Sequence, residues 1–87
     1  MPDDMDRLRE HINRLDNQLV KLLNERAETA LKIGKVKATT GTEVYDPNRE
    51  RLVLDRIDTL NSGPLDKGAL EEVFASIIAA CRQIQMR

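Results

Sequence analysis

The chain has 87 residues, one domain's worth, with 14 Lys and Arg against 15 Asp and Glu and a net charge of −1. That balance argues against a polybasic binder of nucleic acid or of an anionic membrane surface. With 33% charged and 40% hydrophobic residues the chain is neither disordered by composition nor a membrane span. A span needs about 20 predominantly apolar residues, and the longest run here free of charge, Gly and Pro is Val73 to Cys81.

No apolar block follows the acidic start Met1-Pro2-Asp3-Asp4, so no secretory signal is visible and a cytoplasmic location is expected. One Cys and one His provide neither an internal disulfide nor a Cys/His zinc site, and no metal site is expected. Tyr45 and Phe74, the aromatic residues, make no stacking platform for a single strand. The core is left to Leu, Ile, Val and Ala.

The prolines Pro2, Pro47 and Pro64 bracket three segments, each of which reads as a helix. In the first, Met5, Leu8, Ile12, Leu15, Leu19 and Leu22 recur at spacings of three and four, the seam of a helix that packs lengthwise on others. Asp3 or Asp4 caps its start, and Thr39-Thr40-Gly41-Thr42 ends it. The second opens with Asp46-Pro47, an N-cap acid before a proline at the first helical position, and carries Leu52, Val53, Leu54, Ile57 and Leu60 up to Asn61-Ser62-Gly63-Pro64. The third, capped by Asp66, places Leu70, Val73, Phe74, Ile77, Ile78, Cys81 and Ile84 on one face. No repeat, low-complexity tract or linker interrupts residues 1–87, so the expectation is a single all-α domain, a three-helix protomer with a long first helix.

A first helix from about residue 6 to 38 is roughly 50 Å long at ~1.5 Å per residue. A compact monomer of this size has a radius of gyration of only ~12 Å. The helix then protrudes with its apolar seam bare, and the same helix of a second copy covers it most economically, giving an intertwined homodimer. The competing arrangement is a lone three-helix bundle with the first helix broken near Gly34, where glycine costs about 1 kcal/mol against alanine.

Beyond Leu22 the three-four spacing reaches Arg26, Ala30, Ile33 and Lys37, so two cations interrupt the apolar stripe. They differ by about 20° in azimuth and lie about 16 Å apart along the axis, with small Ala30 and Ile33 between them, which leaves room for a small anion. Arg49 and Glu50 border the inward face of the second helix, and the amide of Gln85 closes the stripe of the third. Arg9 lies too far along the rod to meet Lys37 of its own chain, yet an antiparallel pairing of first helices brings it to the partner's site. Each residue also has a plain structural role: an arginine beside a seam snorkels or pairs with an acid, Glu50 pairs with an arginine of the next turn, Gln85 frays, Cys81 is a small core hydrophobe and His11 is solvated. The convergence of three cations and one amide on inward faces favours an anionic ligand, because buried cations demand anions.

Leu8-Arg9-Glu10 with Leu15-Asp16, Glu25-Arg26, Gly34-Lys35-Val36-Lys37 and Asp46-Pro47-Asn48-Arg49-Glu50-Arg51 resemble, in order and spacing, the all-helical chorismate mutases of the AroQ class. The resemblance covers essentially the whole chain. It implies an interlocked homodimer with two active sites and the conversion of chorismate to prephenate in aromatic amino-acid biosynthesis, with no cofactor. By the same resemblance Arg9 enters the partner's site, Arg26 grips a substrate carboxylate, and Arg49 lines the pocket. Lys37 and Gln85 share the ether oxygen of the breaking bond, while Asp46, through its backbone, and Glu50 hold the ring hydroxyl. Where many relatives carry a serine that contacts a carboxylate, this chain has Cys81, whose thiol is a weak donor. Two other readings remain at this stage: an isochorismate-pyruvate lyase on the same fold, and a non-catalytic helical dimerisation or regulatory module whose seam charges set register.

Overall fold

The computed structural model describes residues 3–87, and Pro2 lies outside them. Three helices follow in order: α1 (Asp4–Thr40), α2 (Pro47–Leu60) and α3 (Lys67–Gln85). Each begins on an aspartate whose carboxylate accepts a backbone N–H three residues on. Asp3 takes the N–H of Asp6 at 2.8 Å, Asp46 that of Arg49 at 3.0 Å, and Asp66 that of Ala69 at 2.8 Å. These bonds satisfy donors that a helix start leaves orphaned, and they place a negative charge at the positive end of each helix dipole. α1 ends at Gly41, whose left-handed φ of 71° lets its N–H turn back to the Lys37 carbonyl. α1 is continuous through Gly34, so the broken-helix arrangement is not adopted.

The chain runs up, down and up. Glu50 near the start of α2 meets Arg82 near the end of α3, so these two helices are antiparallel. Arg26 meets Cys81 and Gly34 meets Gln85, so α1 and α3 run side by side in the same direction. α3 packs against both other helices, whereas α1 and α2 make no direct backbone approach, and the wedge between them stays open.

The single chain is a rod of 60 × 24 × 15 Å with a radius of gyration of 16.5 Å, well above the ~12 Å of a compact chain this long. Among the described residues only Ala30, Ile78 and Cys81 are buried. Every seam residue from Leu8 to Leu22 is at least 39% exposed. Leu52 and Val73, read as inward-facing, are exposed as well, because no neighbouring helix of the same chain reaches them. None of the three helices is long and apolar enough to cross a membrane.

Asp58 on α2 and Glu71 on α3 face each other, with Lys67 Nζ 3.7 Å from Asp58 Oδ2. Asp58 Oδ1 and Glu71 Oε1 are buried, and the rest of the described chain offers neither a donor. The hydrogen bond to Asp58 raises the Glu71 pKa above its ordinary 4.5; burial and repulsion by Asp58 act the same way, and Lys67 and Arg51 oppose them. The folded chain therefore keeps a proton that the unfolded chain releases. Its contribution to stability is fully present below about pH 4.5 and is lost as pH rises through the raised folded value. Glu71→Gln, whose amide donates to Asp58 at every pH, is expected to flatten that dependence in thermal melts run from about pH 4 to 7. Parallel parent and variant curves would rule out the shared proton.

Candidate active site

The open wedge between α1 and α2, floored by α3, is a cavity of about 570 Å³. That is a volume suited to a small molecule. Five cations line it, Arg26 and Lys37 from α1, Arg49 and Arg56 from α2, and Arg82 from α3, against the two carboxylates Asp46 and Glu50. Between the cations the wall is apolar: Ala30, Ile33, Val44, Val53, Ile57, Phe74 and Ile78. An excess of positive charge on apolar walls strengthens the pull on an anion, since the low dielectric there screens it poorly.

The helix spacing explains who faces inward. Arg26, Ala30, Ile33 and Lys37 continue the α1 seam, and the two small or branched residues hold the cations apart. Arg26 is half-buried, and its Nη1 donates to the Cys81 sulfur at 3.1 Å. Cys81 thus acts as an acceptor toward the arginine, where the sequence reading weighed its thiol as a donor. A guanidinium carries five N–H groups, so this one contact leaves the fork free for a carboxylate. Lys37 Nζ donates to the Val44 carbonyl at 3.1 Å, which pins the α1–α2 loop and leaves further ammonium protons for a guest.

Asp46 lines the cavity at the start of α2, and its Oδ1 accepts the Arg49 N–H that caps the helix. Glu50 does not pair with an arginine of its own helix. It accepts from Arg82 Nη1 at 2.7 and 2.5 Å, across 32 positions of sequence. The Arg82 guanidinium lies 4.9 Å from the centroid of the Tyr45 ring, a cation–π contact that ties the loop to α3. The bond to Glu50 raises the pKa of Arg82, keeping it charged.

Gln85 is the last residue of α3, half-buried and lining the cavity rather than frayed. Arg49 lines the cavity too but is exposed in the single chain, and no charged side chain is buried among the described residues. The cations share a hollow without being sequestered in it. Arg9 is not among the lining residues: it lies about 26 Å from Arg26 along α1, at ~1.5 Å per residue. His11 is exposed on the same stretch.

Helical spacing alone assigns no site role to Arg82, Arg56 or Tyr45, which the structure brings to the cavity or its rim. Arg82 follows Cys81 in an apolar stripe and reads there as a surface charge. A signal was present, since Arg82 and Gln85 stand three apart and share a face.

Chorismate mutase type II is the family whose model this sequence matches, over residues 8–86. The chain belongs to the type II chorismate mutase family. The bifunctional chorismate mutase/prephenate dehydratase of Aquifex aeolicus is 33% identical over 89 residues, covering 98% of this chain and 25% of that protein. The chain spans about a quarter of the length of the curated relatives it first matches. Among solved structures, chorismate mutase (Form II) from Thermus thermophilus superposes with a TM-score of 0.96 at 27% identity, over 98% of this chain and 97% of that one. Chorismate mutase from Helicobacter pylori, solved in complex with prephenate, superposes with a TM-score of 0.86 at 32% identity, over 94% and 89%. The three-helix fold of this chorismate mutase domain is thus that of its solved relatives.

Proposed function

We propose that this domain rearranges chorismate to prephenate, a step of aromatic amino-acid biosynthesis, in the cavity between α1, α2 and α3. The observation that carries the reading is the meeting of Arg26, Lys37, Arg49, Glu50 and Gln85 on one hollow of small-molecule size, in a chain of the mutase family. A relative solved with prephenate supports the choice of ligand class.

The reaction is unimolecular: one ether C–O bond breaks, one C–C bond forms, and no atom leaves. It needs no nucleophile, so the engaged thiol of Cys81 is no obstacle. Two tasks remain for the protein. The flexible dicarboxylate has to be held in its compact reactive shape, and positioning of this kind is worth up to ~7–11 kcal/mol of barrier. Arg26 and Arg49 supply planar forks for the carboxylates. Negative charge then grows on the ether oxygen as its bond stretches, and Lys37 with Gln85 meets it. Glu50, steadied by Arg82, accepts from the ring hydroxyl, and the backbone at Asp46 helps to hold it. Cys81 holds Arg26 and borders the carboxylate it grips.

The functional unit is a homodimer. Antiparallel pairing of two α1 seams covers Leu8 to Leu22 on both copies and carries Arg9 of one copy to the open side of the other's cavity. A dimer of this kind also sequesters the cations that the single chain leaves half-open, which strengthens their hold on an anion.

The test is an assay of chorismate and isochorismate side by side. Chorismate loss with prephenate formation is expected. Pyruvate release from isochorismate without prephenate formation would overturn the reading in favour of a lyase. Inertness toward both, with no rise of melting temperature on adding either, would leave a helical dimerisation module.

A further inference from the structure

Gly34 faces Gln85 where α1 and α3 come together. A Cβ built on Gly34 lies 3.0 Å from Gln85 Cγ, 3.2 Å from Gln85 Cβ and 3.5 Å from Oε1. The tight contacts are with the base of the glutamine rather than its flexible end. Turning χ1 of Gln85 relieves the contact with Cγ, but the contact with Cβ is relieved only by a shift of one helix against the other. Meanwhile Gln85 Oε1 is buried and has no hydrogen-bond partner among the described residues, although its side chain lines the cavity. Packing, rather than a hydrogen bond to that oxygen, therefore determines where the amide stands.

The helix itself does not call for glycine at this position. Gly34 lies within α1, and the left-handed glycines are Gly41 and Gly63. Glycine inside a helix is less favourable than alanine, so a bare Cα here is a local disadvantage with a gain elsewhere. The gain is clearance for Gln85, one turn of α1 before Lys37.

We propose that Gly34 is a positioning residue: its missing side chain sets the place of the Gln85 amide relative to Lys37 Nζ. This rests on the chorismate mutase reading, in which those two groups share the ether oxygen. Catalytic groups work within about 0.5 Å of their productive positions, and a shift near 1 Å costs up to ~100-fold in rate. A displacement of a few tenths of an ångström is expected to cost about tenfold.

The experiment compares parent, Gly34→Ala, Gln85→Ala and the double variant for kcat and KM. Helicity, melting temperature and the Gln85 side-chain amide signal in a nitrogen-proton NMR spectrum are recorded alongside. Gly34→Ala is expected to keep or raise helicity and melting temperature, to move the Gln85 amide signal without substrate, and to lower kcat about tenfold with KM within about threefold. On the Gln85→Ala background the same change is expected to alter kcat by less than about twofold, because no amide remains to be misplaced. An unmoved amide signal, an equal kcat loss on both backgrounds, or a lower-melting Gly34→Ala protein overturns the proposal. Full turnover in Gln85→Ala overturns it together with the role of Gln85. Absence of mutase activity in the parent defeats the functional reading instead, and the amide signal still decides whether Gly34 positions Gln85.

Discussion

Lys37→Ala is expected to lower kcat about a hundredfold or more, with KM changed by less than a few-fold. Nζ is the compact charge nearest to the role of meeting the ether oxygen, and one preorganised donor of this kind is worth on the order of 3 kcal/mol in the transition state. Since that interaction grows as the bond stretches, its loss falls on turnover rather than on binding. The substitution also removes the bond to the Val44 carbonyl. The melting temperature of the variant separates the two effects: a loosened loop lowers stability slightly, whereas the catalytic loss persists in fully folded protein. Arg26→Ala provides the contrast, because a carboxylate clamp acts on ground state and transition state alike, and KM rises as kcat falls. A Lys37→Ala protein with undiminished turnover would refute the assignment.

Leu19→Glu is the second substitution with a large expected effect. In the isolated chain Leu19 is 54% exposed, and a charge there changes stability by no more than about 0.5 kcal/mol. In an antiparallel dimer the same residue lies in the seam. The variant then forfeits about 1.5–3 kcal/mol of leucine burial per copy and also has to desolvate a carboxylate, at several kcal/mol more. The expected result is a protein that sediments as monomer, melts far below the parent and has lost activity. A parent whose melting temperature rises with concentration supports the same arrangement, since dimer stability follows mass action. A fully active, parent-like Leu19→Glu protein would show that the bare seam serves something other than self-association.

Much of the fold was legible because its determinants are local. An aspartate followed three residues later by a waiting N–H caps a helix whatever else the chain does, so Asp46 and Asp66 marked the starts of α2 and α3, and Asp3 or Asp4 that of α1, where the structure uses Asp3. The three-four spacing from Met5 onward placed Arg26 and Lys37 on one face, and both line the cavity. The length of α1 set against the size of the chain foretold a protruding rod, which the 16.5 Å radius of gyration reproduces.

Periodicity orders one helix; it is silent on how two helices cross. Arg82 and Glu50 are 32 positions apart, and their pairing depends on the antiparallel register of α2 and α3. The same register sets Asp58 against Glu71, which raises the Glu71 pKa. The clearance between Gly34 and Gln85 arises from the approach of α1 to α3, where a few tenths of an ångström separate a fit from a clash. Thus the amino-acid order by itself determined the three helices and their N-terminal caps, because these follow from interactions within four residues, whereas which apolar faces are covered, as the exposed Leu52 and Val73 show, was left to packing. The partners of Glu50, Cys81 and Gln85 were decided only in the tertiary structure, because they depend on crossing geometry that packing of the whole chain selects.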